Sequence, residues 1–540
     1  MIMLNIYRPE VHYAPVYFPR NGTPPYLRYN HCVDVIRFRD RFLAVWNANT
    51  VGNEGVSGQY DFISYSNDYR HWTAPEKLFA GKRCSPPVFS DRQWQPSFLK
   101  CSEELLFCAW CDTASRKTYV ASTGDGEHWS NREISGEEIP AETVAFPTNH
   151  GLKSSDGSLY FPVSFATKDI GLCCFAGALI SRDEGKSWHW STPVEAQEWS
   201  CFHIVPEKFP LERPALWEPM IYEARPGVLG MLIRNNTSTS ENPSIQAEHL
   251  LLYSESCDRG ESWSPARPVE VETIVSRCFA QRVDSALLMV MNDWIRGIPD
   301  HIAKDRFHLT LYWGPNGDPD LLLPGPEVQP GGGCAFYPNG FVYQGKLYLG
   351  YTYPDYIEAA VVEELPDLTQ PFLLPRQSRG WVEFSEDGMI LERPQATVGL
   401  VPTAEMADAA CLALSFRVST EVRNENDFPI LTLGGKSRNG VLLLLQFDPQ
   451  TDKDRLILQP TEGDEACLGE LGLGASVRID VRLHKDRICF EVRDEKVELP
   501  CRILRKMAFG GLYEPPVYPP ESVPVRDRVL ISEMELSRTL

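Results

Sequence analysis

The sequence predicts an all-β protein, a β-propeller followed by a β-sandwich, and three observations carry that prediction. A tight-turn motif recurs along the first two thirds of the chain. Short strand-like segments surround each copy, and near residue 370 the text changes to segments of period two. At 540 residues the chain is long enough for two or more cores, since single cores stop growing at roughly 250–300 residues. The expected division is residues 1–370 for the propeller, taken as the catalytic domain, and 371–540 for the sandwich.

The repeated turn has two clear copies, Ser181-Arg-Asp-Glu-Gly-Lys-Ser-Trp188 and Ser256-Cys-Asp-Arg-Gly-Glu-Ser-Trp263. Looser copies run Ser66–Trp72 and Ser122–Trp129, and a degenerate one begins at Trp313. The Asp carboxylate can accept backbone N–H bonds within its own turn, Gly supplies positive φ, and Trp returns as a large apolar anchor. YDFISYS, LYFPVSF, GALIS and LLLYSES read as strands beside these turns, and few long amphipathic helices interrupt them. Strand-rich repeats with one anchored turn each are the signature of propeller blades.

Pro-rich PDLTQPFLLPRQSRG then makes the connection, and ACLALSFRVS, GVLLLLQFD, SVRIDVRLH, RICFEVRD and RVLISEMEL alternate as strands of an antiparallel sandwich do.

Composition narrows the function. A net charge of −21 gives no general attraction for nucleic acid or anionic lipid, and no run approaches the roughly 18 apolar residues of a membrane helix. The first residues lack a basic n-region and a long apolar stretch, so the chain as it stands is expected to be cytoplasmic, and secreted or periplasmic if a leader precedes it. Fifteen scattered Cys read as buried reduced thiols; Cys108-Ala-Trp-Cys111 has no second pair or His at zinc spacing, so no metal is expected. No phosphate loop, nucleophile elbow, zincin helix or EF-hand occurs, and no cofactor is expected.

The repeated turns are Asp boxes, and with them the sequence resembles the sialidase (neuraminidase) superfamily of six-bladed propellers. The resemblance implies six blades, with Asp183 and Asp258 in structural turns away from the catalytic face. The C-terminal part is similar to the concanavalin-like or laminin-G-like sandwiches that accompany carbohydrate-active propellers. The run from Trp217 to Arg234 resembles the family's Glu-Pro followed by a strand ending in Arg, which implies Glu218 as base and Arg234 as a carboxylate-binding arginine. Arg306, opening the segment to Trp313, is similar to a second such arginine, and Tyr337-Pro-Asn-Gly resembles the segment that begins with the nucleophilic Tyr. The counterpart of the family's opening Arg-Ile-Pro reads Asn30-His31-Cys32, with Arg28 two residues early. The first arm of the arginine clamp is therefore missing or displaced, and Arg28, Asn30 and His31 are candidate substrate contacts, joined by His150. The acid loop, Asn47 to Gly58, contains no Asp before Asp61, which leaves Glu54 as the acid.

The chemistry gives these residue types a purpose. Guanidinium is planar, always charged and grips a carboxylate bidentately. A carboxylate nucleophile would be repelled by a sugar acid, so a phenol activated by Glu is a sensible substitute. The resemblance implies an exo-acting, retaining glycoside hydrolase removing a terminal, sialic-acid-like sugar from a glycan or oligosaccharide. Three alternatives stay open: a glycosidase for another terminal sugar, a polysaccharide lyase on uronate glycans using His31 or His150 with Tyr337, and a non-catalytic glycan-binding propeller. The last requires Tyr337 and Glu218 to lie apart. Oligomeric state is left open.

Overall fold

A computed structural model describes residues 4–539 apart from 20–25, 135–142, 168–173, 196–215, 236–249, 273, 275, 294–305, 330–333, 354–355, 378–381, 423–426, 436–439, 500–504 and 514–527. The expectation of an all-β chain holds: six sheets, antiparallel but for the short edge strand Cys84–Ser85 of the second, form six blades, and two larger sheets form a sandwich.

Blade one is built from Tyr29–Phe38, Arg41–Asn49, Tyr60–Ser66 and Glu76–Lys77, innermost strand first. The innermost strands of blades two to six are Gln93–Ser102, Thr143–Pro147, Leu216–Arg225, Phe279–Val283 and Phe336–Tyr343. The outermost strand of blade six is Val11–Tyr17, from the start of the chain, so the ring is closed by pairing its two ends. Closure of this kind leaves no open seam between first and last blade. Apolar clusters then fill the space between successive blades, such as Val35, Ala44 and Trp46 with Ile357 and Ala359 between blades one and six.

The Asp boxes form the turns after the third strand of their blades. Asp183 accepts from the Ser187 N–H at 2.8 Å and the Ser181 hydroxyl at 2.9 Å, and Asp258 repeats the pattern with Ser262 and Ser256 at 3.0 and 2.7 Å. Gly185 has φ +84°, and a Cβ there would sit 2.1 Å from the Phe107 ring, so the turn needs glycine for both conformation and packing.

In the sandwich, an eight-stranded and a seven-stranded sheet enclose one apolar core that includes Leu414, Phe416, Leu443, Ile479 and Phe509. Asn5–Ile6 pairs in parallel with Phe372–Leu373 of the larger sheet, so the first strand of the chain sits on the sandwich side. Phe372, Leu374, Val401 and Leu512 pack in one cluster with blade five, so the sandwich shares a hydrophobic seam with the propeller. At that seam Asp293 accepts two bonds from Arg376, at 2.8 and 2.6 Å, both side chains buried. Among the described residues no helix is long and apolar enough to cross a membrane, and no disulfide forms.

Candidate functional site

The antiparallel order of each blade decides which residues meet. The start of the innermost strand, the second-to-third loop and the start of the third strand lie at one end of the ring, and the Asp boxes at the other. Tyr337 and Glu218 lie in the first three residues of their innermost strands; Arg234 ends a second strand, Glu54 sits in a second-to-third loop, and Arg306 just precedes a third strand. The chain therefore delivers them to one mouth, opposite Asp183 and Asp258.

A shared backbone irregularity aims the side chains. The innermost strands of blades one, two, four and six each break register, at His31/Asp34, Trp94/Ser97, Trp217/Met220 and Phe336/Asn339. Within these bulges Cys32, Gln95, Glu218 and Tyr337 take φ of 57°, 54°, 44° and 59°, a left-handed conformation that non-glycine residues adopt at a cost. Such strain concentrates where a side chain must be redirected, here toward the axis.

At the centre, Arg234 Nη1 donates to Glu218 Oε2 at 2.5 Å and to the Tyr337 hydroxyl at 2.6 Å. One guanidinium nitrogen thus bridges the carboxylate and the phenol. Glu218 is 4% exposed, and the Ser164 hydroxyl accepts its backbone N–H at 3.0 Å. Burial pushes the Glu218 carboxyl up, but the charges of Arg234 and Arg277, with hydrogen bonds from Arg234 and Tyr337, outweigh it and hold the group below the usual carboxylate range. Burial, reinforced by the charge of Glu218, raises the Tyr337 phenol against the opposing pull of Arg234 and Arg306. The resting pair is a carboxylate beside a neutral phenol.

Two more guanidiniums cover the Tyr337 ring, Arg277 at 4.6 Å and Arg306 at 4.7 Å. Arg277 is 1% exposed; one Nη donates to the Thr148 carbonyl, while Nε and the other Nη have no partner among the described residues. Buried guanidinium N–H groups without acceptors are expensive to maintain. Arg277 escaped the sequence reading because Ser276-Arg277-Cys278 belongs to no motif; its one signal is that it lies two residues before the innermost strand of blade five.

His31 packs against Tyr337 with centroids 4.4 Å apart and the rings tilted by 47°, and its Nδ1 pairs with the Thr352 hydroxyl at 3.0 Å. Burial first, then Arg306, Arg277 and Arg234, hold its pKa well below that of a free imidazole, so the ring is neutral. Glu54 is exposed as a residue, but its carboxylate accepts from Trp94 Nε1 at 3.1 Å and crowds against Tyr29. That partial withdrawal from water, with the charge of Glu218, raises its pKa. The Glu54 carboxylate, the Cys32 thiol and His31 also bring N, S and O donor atoms within 4.8 Å of one another.

Three further expected substrate contacts have other surroundings. The Asn30 amide is engaged inside blade one, donating to the Leu27 carbonyl at 3.2 Å and accepting from Trp46 Nε1 at 3.0 Å. Arg28 is exposed beside Gly52, and no contact ties it to Tyr337 among the described residues. His150 is tied to buried Asp34 at 2.9 Å, and its N–H donates to Asn339 at 3.2 Å, so it braces blades one, three and six. Asp34 also accepts from the Phe98 N–H at 2.6 Å, which makes it a joint between blades.

A cleft of about 1090 Å³ lies elsewhere, between blades four and five and the sandwich. Of its cations, Arg225 pairs with Glu255, and Arg505 donates to the Met406 and Ala407 carbonyls.

Residues 40–359 match the family described as BNR repeat-like domain. Among solved structures the chain is similar to the Trypanosoma rangeli sialidase held as a covalent intermediate with 2,3-difluorosialic acid. That likeness has 13% identity and a TM-score of 0.53, covering 100% of this chain and 97% of that one. It is similar also to the T. rangeli sialidase without a named ligand, at 12% identity and a TM-score of 0.51, covering 99% and 97%. At such identity the likeness shows the fold alone. A search of curated proteins returns no match.

Proposed function

Since the chain belongs to the BNR repeat-like domain family and has the sialidase fold, we propose that it is an exo-acting, retaining glycoside hydrolase of sialidase type, which removes a terminal sugar bearing a carboxylate. The observation that carries this reading is the bridge of Glu218 and Tyr337 by one Arg234 nitrogen, which sets a base beside a phenol nucleophile. That contact also weighs against a non-catalytic propeller, which would leave the pair apart.

In the first step Glu218 takes the phenolic proton as Tyr337 Oη attacks the anomeric carbon. The bond to the leaving oxygen breaks, and Glu54 gives that oxygen its proton. In the second step Glu54 takes a proton from water, the water oxygen attacks the same carbon, and Tyr337 departs and recovers its proton from Glu218. Two displacements at one carbon retain configuration. Arg234, Arg277 and Arg306 receive the sugar's carboxylate, with Arg277 supplying from blade five the cation that blade one lacks. Neutral His31 lines the blade-one side.

The test is release of 4-methylumbelliferone from its α-sialoside by the full chain. Turnover lost in Tyr337→Phe with the fold intact is the expected result. A wild-type protein inert to this and other acidic glycosides, or a Tyr337→Phe variant as active as wild type, refutes it. Neutral His31 against Tyr337 favours one second reading, a lyase abstracting the proton beside a uronate carboxylate. Its product would carry an unsaturated sugar absorbing in the near ultraviolet.

A further inference from the structure

We propose that His31, Cys32 and Glu54 form a zinc-binding site at the blade-one side of the mouth, through which the metal ion inhibits the enzyme. In a regular strand successive side chains point to opposite faces, so adjacent residues 31 and 32 would not share a ligand. The bulge that puts Cys32 at φ 57° breaks this alternation and brings a His nitrogen, the Cys sulfur and a Glu54 oxygen within 4.8 Å of one another. Imidazole, thiolate and carboxylate are the three donor types zinc takes, and bonds of about 2.0–2.3 Å place tetrahedral ligands at separations that small adjustments here would reach.

The surroundings orient two of the three donors. Thr352 engages His31 Nδ1, which leaves Nε2 as the nitrogen for the metal ion, as the second partner of a metal-bound His does. Trp94 Nε1 donates to one Glu54 oxygen and so steadies the carboxylate. The loop bearing Glu54 is itself pinned: Asn49 donates to the Asn53 carbonyl at 2.7 Å, and the Gly55 N–H donates to Gln59 at 2.9 Å. Glu54 is exposed, which gives an approach from solvent.

On binding, the Cys32 thiol releases its proton to solvent as the zinc–sulfur bond forms, His31 binds as neutral imidazole, and Glu54 binds as carboxylate. One thiolate and one carboxylate balance the ion's charge. The nearby guanidinium charges of Arg306, Arg277 and Arg234 oppose it. Inhibition rests on the glycosidase reading, because zinc would occupy the acid of that mechanism; binding does not.

The experiment uses the full chain with exposed Cys257 and Cys467 changed to Ser, and cobalt(II) as a spectroscopic stand-in for zinc. Expected are one equivalent of cobalt with a thiolate-to-metal charge-transfer band, displacement by zinc, and zinc inhibition of turnover over the same concentrations. Cys32→Ser abolishes the band and weakens zinc more than about tenfold, the loss that even an outer partner of a ligand causes. Glu54→Gln, which keeps the thiol, retains the band and weakens zinc, and so covers the case in which Cys32→Ser fails to fold. A wild-type protein without the band, or a band and zinc affinity unchanged in folded Cys32→Ser, overturns the site. Inert wild-type protein that still shows the band refutes the glycosidase reading and leaves the metal site standing.

Discussion

Replacing Glu218 by Gln removes one negative charge while keeping the shape of the side chain, and it tests the centre of the proposed mechanism. In the native site the carboxylate lies 2.5 Å from Arg234 Nη1, which in turn lies 2.6 Å from the phenol oxygen. A positioned general base contributes about 10²–10⁴-fold to rate, or about 3–5.5 kcal/mol of barrier. Turnover of an aryl α-sialoside should therefore fall about 100- to 10,000-fold. The buried charge-assisted bond to Arg234 is worth about 1.5–3 kcal/mol, so the variant should also lose stability of that order. A second signature has the opposite sense. Glu218 helps to push the Tyr337 phenol up, so its neutralisation lowers that pKa. Ultraviolet titration, taken as a difference against Tyr337→Phe, reads this shift. Since the phenol then ionises more easily without its base, residual turnover should recover as pH rises. A folded variant that keeps more than a tenth of wild-type turnover would refute the reasoning, as would a Tyr337 ionisation that does not move.

The two carboxyl groups should also set the pH profile. Glu218 must be ionised and its pKa is depressed, whereas Glu54 must be protonated and its pKa is raised. The rate should rise through a pKa below the ordinary carboxylate range and fall through one above it, and Glu54→Gln should remove the descending limb while harming poor leaving groups most. Asp183→Ala removes bonds from Ser187 and Ser181 on the opposite face of the ring, so it should cost about 1–2 kcal/mol of stability in thermal or denaturant unfolding and leave KM unchanged. A changed KM at constant stability would contradict the division of faces.

Much of this molecule is decided locally, and what is local was legible. An Asp box closes on itself within a few residues, as the Asp183 turn does, so its sequence reports its structure wherever it falls. Period-two segments such as Cys411–Val422 report a half-buried strand for the same reason. Glu218, Arg234, Arg306 and Tyr337 could be picked out because each lies in a segment whose neighbours form a recognisable run. Their meeting at one mouth then follows from the antiparallel order of the blades. The tertiary structure alone decided the rest. Asn30 looks available in sequence, but the packing of blade one brings Trp46 and the Leu27 carbonyl onto its amide. His150 is drawn to Asp34 across the ring, and Arg277 reaches Tyr337 from a segment without any motif. The pairing of Val11–Tyr17 with blade six and of Asn5–Ile6 with the sandwich joins residues hundreds of positions apart. Such contacts depend on ring closure and on bulges that redirect single side chains. A linear pattern records which residues alternate along a strand, and it holds no information about which distant strand will lie beside them.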